Sequence, residues 1–304
     1  MQRGKNIVSE ERKKVKKHWG DRYDGRRVKS SDPLNVITPF LMKTRNDSEV
    51  FFDAEVDVTK IDEIVKEKRK QGLNIGFLDY LVANLVRTVS QYPRLNRFVA
   101  GKRLFSRDEL RISLVVKKEM KIESDETSIK FKFDKDNTVD EINKIIRGKI
   151  EKNKGAQEKT NDTDKVVGVL NKLPRFLLSF VVWCLTTLDY YGHMPKLIHE
   201  VSPMHTSIFV TNFGSLGADP IYHHIYNWGT TSIFVAFGNK KVQRMINKEG
   251  KMVTRKVIKM RFVADERIAD GYYLAKSLQY FVSLFQHPEL VEVKPEQVFE
   301  DDQI

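Results

Sequence analysis

Glu266, Asp270 of the pair Asp270-Gly271, Thr211 and the histidine pair at 223 and 224 carry side chains able to take part in proton transfer, although residue type alone does not single out one glutamate among the 41 Asp and Glu residues. A carboxylate accepts a proton, a neutral imidazole does so nearer pH 7, and a hydroxyl can donate to a developing oxyanion, worth about 3 to 4 kcal/mol. Each also has an ordinary reading. Glu266 can pair with one of the 53 Lys and Arg residues, Thr211 can be a plain strand threonine, and His223 and His224 in DPIYHHIYNWG can be structural or solvent-facing. His193, His199 and His205 surround a helix end and rank lower, and the single cysteine, Cys184, sits in an apolar run where a thiol packs as a small hydrophobe. No metal-ligand spacing, glycine-rich phosphate loop or nucleophile elbow is present in the sequence.

The elements that would position these groups follow from periodicity. Phe52, Ala54, Val56 and Val58 alternate with Asp53, Glu55 and Asp57, the period of a strand with one wet face. Thr59 is placed to cap the next helix, which runs to about Lys70. In GFLDYLVANLVRTVSQYP, apolar positions recur every three or four residues, predicting an amphipathic helix that Pro93 ends. Strands follow in LFSRDELRISLVVKKE and SIKFKFD, then a surface helix over 138–153 opening at a threonine cap. GAQEKTNDTD reads as a linker, FLLSFVVWCLTTL as a buried helix, and TSIFVTNFGSLG and TTSIFVAFG as strands. A hairpin is expected around Asn247 to Gly250, and a last helix from about Asp270 to Gln286. This mixture, without a regular βαβ beat, favours an α/β (α+β) two-layer sandwich with a mixed sheet.

The 304 residues, 40% hydrophobic and 31% charged, suffice for a sizeable core. One cysteine excludes an intrachain disulfide, the longest apolar run is too short to span a membrane, and the first residues lack the apolar block of a signal peptide. A cytoplasmic location without a membrane span is expected. Residues 1–30 hold 11 Lys and Arg against 4 Asp and Glu, a basic arm read as mostly solvated that can steer anionic partners. A helix over 9–18 would fit within it. Residues 31–288 form the folded unit, and 289–304 an acidic tail with six carboxylates that is expected to wander.

Three segments resemble the catalytic domain of the 2-oxo acid dehydrogenase dihydrolipoyl acyltransferases, which shares its fold with chloramphenicol acetyltransferase. FLDYLVANLVRTVSQYPRLNRFV resembles the family's long helix with its closing Pro-x-Leu-Asn turn, here Pro93, Leu95 and Asn96. TSIFVTNFGSLG with SIFVAFG resembles its Thr-Ile-Ser-Asn-Leu-Gly strand and the strand after it, and DERIADGYYLAK its Asp-His-Arg-x-x-Asp-Gly signature. The resemblance covers roughly residues 30–288. It implies a CoA-dependent acyltransferase in which Thr211 takes the oxyanion-stabilising position, Asp270 holds local geometry, and Glu266 stands where the family has its histidine base. His223 or His224 is the alternative base.

The exchange has a calculable effect. Moving a proton from a thiol of pKa about 8.5 costs roughly 2.7 kcal/mol to a histidine but roughly 5.7 kcal/mol to an unperturbed glutamate. Glu266 is therefore a base weaker by about 3 kcal/mol, on the order of 10² in rate, unless burial raises its pKa. The resemblance further implies coenzyme A or acyl-CoA as co-substrate, a homotrimer or larger assembly with each site at a subunit interface, and no metal. No lipoyl-lysine motif is recognisable, so a lipoyl group would come from another protein. The competing expectations are a pseudoenzyme serving as a trimeric scaffold or acyl-CoA binder, and, ranked last, a nucleic-acid binder working through the basic arm.

Overall fold

The computed structural model describes residues 17–29, 33–117, 126–155, 168, 172–246 and 249–304. The strands are β1 (Gly25–Arg27), β2 (Glu49–Asp57), β3 (Arg97–Ala100), β4 (Arg103–Arg107), β5 (Leu110–Lys117), β6 (Glu126–Phe133), β7 (Ile208–Asn212), β8 (Ile233–Ile246) and β9 (Met252–Asp265). The helices are α1 (Pro33–Leu41), α2 (Thr59–Lys70), α3 (Phe77–Gln91), α4 (Val139–Gly155), α5 (Arg175–Tyr190), α6 (Lys196–Val201), α7 (Gly271–Gln286) and α8 (Glu289–Glu292). Six strands form a sheet in the order β2-β9-β8-β7-β5-β6, and β1-β4-β3 form a small second sheet. In the large sheet β5, β7 and β8 run parallel, and the other pairings are antiparallel. Helices α2, α3, α4 and α7 cover one face, which gives the expected two-layer sandwich with a mixed sheet.

Period-2 alternation sets the faces. In β2, Phe51, Asp53 and Glu55 are exposed while Val56 is buried, as the pattern predicts. The central strands are apolar on both sides because both sides are covered. Ile208, Val210, Ile233 and Val235 join the core under the helices. Phe209, Phe234 and Val263 pack on the opposite face beneath Ile225 of the β7–β8 connection. Each fully buried side chain of this size contributes about 1.5 to 3 kcal/mol.

Several sequence expectations are modified by packing. Helix α3 is buried nearly all round, since its polar stripe meets the chain terminus: Arg87 donates to the carbonyls of Leu290 and Val293. The acidic tail therefore does not wander. Asp301 forms a buried bidentate pair with Arg97, and the Phe299 amide donates to the Ser90 carbonyl. Thr59 does not cap α2, because its hydroxyl donates to Asp57 and accepts from the Lys256 amide, leaving Val58 at the cap position. Thr138 behaves as read: it exchanges bonds with Glu141 across the first turn of α4.

The largest correction concerns α5. Read as a buried helix, it has a single buried residue, Asp189, and exposes Phe176, Phe180 and Trp183. Run length alone cannot tell burial within one chain from burial against something else. The readings of a helix over 9–18 and of the linker at 155–164 lie almost wholly outside the described residues. Residues 17–29, counted with the basic arm, are built in: β1 pairs with β4, and Arg22 holds Asp189 at 2.8 Å.

Candidate active site

Thr211 lies in β7, half-buried, with the parity of Phe209 and so on the face away from the helices. The segment after it explains the TNFGSLG spacing. Asn212 accepts from the amide and hydroxyl of Ser215 through its side chain and carbonyl, folding a 3-10 turn over Gly214–Leu216. Gly214 approaches Gly238 so closely that a Cβ would stand 2.7 Å from the Gly238 carbonyl oxygen, and Gly217 closes the turn with φ +68°.

Glu266 opens a 3-10 turn, Glu266–Ile268, where β9 leaves the sheet. The buried Asp265 carboxylate fixes that turn. It accepts from the Ser48 hydroxyl at 3.0 Å and from Arg267 through its amide at 3.1 Å, Nε at 2.8 Å and Nη2 at 2.7 Å. Arg267 also donates to the Met42 carbonyl. Glu266 itself is half-exposed and has no hydrogen bond or ion pair among the described residues. Asp270 is exposed and caps α7 by accepting from the Tyr273 amide at 2.9 Å.

Register keeps Thr211 and Glu266 apart within one copy. Thr211 pairs with Ala236, which pairs with Arg261, five residues before Glu266. At standard strand dimensions the two residues are about 16 Å apart along the strands and about 10 Å across them. His223 is nearer to Thr211. Its ring stacks on Phe234 at 4.5 Å and leans on Phe213 at 5.5 Å, over the same face that carries Thr211. His224 is exposed against Tyr226. The connection bearing both is laid across the sheet by Tyr222 against Arg261, by the Ile225 amide on Glu49, and by Arg45 on Asn227. Burial lowers the pKa of Arg45 to about 10, partly offset by Asp265.

The sequence did not disclose a second polar centre, between α5, α6 and β4. Arg22 bridges Asp24 at 2.9 Å and Asp189 at 2.8 Å, His199 lies 3.4 Å from Asp24, and His205 lies 3.4 Å from Asp189 with its Nδ1 2.7 Å from the Ser202 hydroxyl. Burial pushes His205 down to about pKa 4, so the ring is neutral at pH 7. Burial alone would raise Asp189, but its neighbours, including the guanidinium of Arg22, hold it at about 2. The spacing of these residues in sequence, more than 160 positions between Arg22 and Asp189, gave no signal.

A pH dependence follows. His205 has a folded pKa below its unfolded value of about 6.5, so the unfolded chain binds the extra proton between those values and stability falls as pH falls from about 6.5 towards 4. Urea unfolding at pH 7 and pH 5 is expected to differ by roughly 1 to 2 kcal/mol, and the His205→Gln chain to show a smaller difference. An undiminished difference in the variant would assign the titration to another group. Among the described residues no cluster of three or more His, Cys, Asp or Glu is arranged to hold a metal.

The fold is shared with catalytic cores of known acyltransferases. Its solved neighbours include a probable dihydrolipoamide acetyltransferase from Listeria monocytogenes 4b F2365, at 15% identity and TM-score 0.51, with 85% of this chain and 94% of that one covered. Another is a truncated catalytic core of the 2-oxoacid dehydrogenase multienzyme complex from Thermoplasma acidophilum, at 16% identity and TM-score 0.51, covering 85% and 97%. A third is the cubic core of a pyruvate dehydrogenase multienzyme complex, at 11% identity and TM-score 0.50, covering 84% and 87%. At these identities the likeness defines the class of fold. Residues 198–293, which include Thr211, both histidines, Glu266 and Asp270, match the family described as 2-oxoacid dehydrogenases acyltransferase (catalytic domain). That segment is about a third of the chain and is similar to this acyltransferase family, in line with the two motif resemblances that fall within it. A search of curated proteins finds no match.

Proposed function

We propose that this protein transfers acyl groups between coenzyme A and a thiol or other acceptor, at sites formed where two copies meet. The observation that carries the reading is the separation of the candidate base from the candidate hydroxyl: Glu266 and Thr211 stand on strands two apart and about 16 Å displaced along the sheet. A site shared between copies brings together groups that one copy holds apart. In this reading Glu266 of one copy takes the acceptor's proton, and Thr211 of its neighbour donates to the oxyanion of the tetrahedral intermediate. The half-exposed Glu266 carboxylate would gain burial from the neighbour, the change that raises a carboxylate's basicity. Asp265 and Arg267 hold the turn, and Asp270 holds the helix behind it.

His223 carries a second reading of the base. It shares a face with Thr211 in the same copy, packed between Phe213 and Phe234, and would serve without a partner's carboxylate.

Incubating the purified chain with acetyl-CoA and dihydrolipoamide, and following CoA release, tests the function. Acceptor-dependent release is expected. Tight CoA binding without release above background would leave the alternative, a scaffold or acyl-CoA binder that has lost the reaction.

A further inference from the structure

We propose that the face formed by α5 and α1 seats this protein on a bilayer surface containing anionic lipid, an inference that goes beyond the acyl-transfer reading. Helix α5 carries no charged side chain between Arg175 and Asp189, and its one buried residue, Asp189, is clamped by Arg22. Leu178, Val181 and Leu185 are half-buried, and the other aliphatic and aromatic side chains face outward, with Phe176 77% and Trp183 62% exposed. Helix α1 presents a second apolar strip through Leu34, Ile37, Phe40 and Leu41. The two strips join at the β3–β4 turn. The Lys102 ammonium lies 5.1 Å over the Phe40 ring, and Gly101 touches the Tyr190 carbonyl so closely that a Cβ would stand 2.4 Å from its oxygen.

Charge and shape select the occupant. Exposed cations stand at the ends and at the seam of the face: Lys43 after α1, Lys102 and Arg103 in the turn, Lys172 and Arg175 at the start of α5, and Lys196 just beyond it. Cations around an apolar face suit anionic headgroups, whereas a second copy would bring its own cations against them. Tyr190 and Tyr191 follow the clamped Asp189, and Trp19, 97% exposed, lies three residues before its partner Arg22; all three carry the amphipathic rings that settle at headgroup depth. Exposure on several sides of α5 also suits a fluid apolar medium better than one flat protein surface, which covers a single stripe. No helix among the described residues is long and apolar enough to cross a membrane. The 16 residues of α5, about 24 Å, fit a helix lying within the interface.

Flotation of the full chain with vesicles tests the assignment. The chain is expected to float with phosphatidylcholine vesicles holding about 30% phosphatidylglycerol, and several-fold less with phosphatidylcholine alone. The double variant Phe180→Asp, Trp183→Asp should lose at least tenfold of the bound fraction, roughly the effect of removing two apolar anchors. A second measurement leaves the apolar side chains of α5 and α1 in place: in a chain with Trp19→Phe and Trp228→Phe, brominated lipid should quench Trp183 fluorescence. Three results would each overturn the proposal. These are no flotation on either vesicle, flotation that the double variant leaves intact, which assigns binding to the basic arm, and Trp183 unquenched with an oligomer that dissociates in the double variant, which puts a second copy on the face.

Discussion

Acyl transfer by the Glu266→Gln chain is expected to fall by about 10² to 10⁴-fold in kcat, with the KM for acyl-CoA nearly unchanged. The substitution keeps the side chain's size and removes the ability to take a proton. Because Glu266 makes no hydrogen bond or ion pair among the described residues, its loss should leave the fold as stable as before, and thermal unfolding of the variant serves as the control. Steady-state CoA release measures the effect. If turnover survives in Glu266→Gln and collapses in His223→Gln, the proton acceptor is the histidine packed over Thr211's face.

The largest loss of stability is expected from Asp265→Ala. That carboxylate is fully buried and accepts from Ser48 and three groups of Arg267, whose own side chain is 3% exposed. Its removal strands a buried guanidinium, a change that costs about 3 to 5 kcal/mol. Chemical denaturation reads this directly. The double variant Asp265→Leu, Arg267→Met removes the stranded charge and should recover part of the loss, since apolar groups can replace a buried ion pair at little cost. A double variant as unstable as the single would show that the Ser48 bond, not the ion pair, holds the turn. Both variants should also lower turnover, because the same bonds fix the backbone from which Glu266 projects.

Much of the fold was legible because local period and burial agreed. Strand β2 alternates in sequence and in exposure, Thr138 and Glu141 close the first turn of α4, and α7 begins one residue past the predicted start with Asp270 as its cap. What failed did so where long-range contacts outweighed local chemistry. Thr59 had a cap's identity but was bound by Asp57 and Lys256, and the tail's carboxylates looked solvated until Asp301 met Arg97 from the other end of the domain. For the candidate site, motifs supplied Thr211, Glu266 and Asp270, but the supporting Asp265–Arg267–Ser48 network rests on a partner 217 residues away in sequence. The separation of Thr211 from Glu266 was likewise invisible without strand order, since β8 intervenes between their strands.

Mixing two inactive variants tests the shared site most directly. Chains carrying Glu266→Gln and chains carrying Thr211→Val are unfolded together, refolded at equal concentration, and assayed for CoA release against each variant refolded alone. If one copy supplies the carboxylate and its neighbour the hydroxyl, about a quarter of the sites in random assemblies hold both intact groups, and activity should return to that share of the unsubstituted protein. Activity no higher than the mean of the two separate variants would contradict a site built across copies.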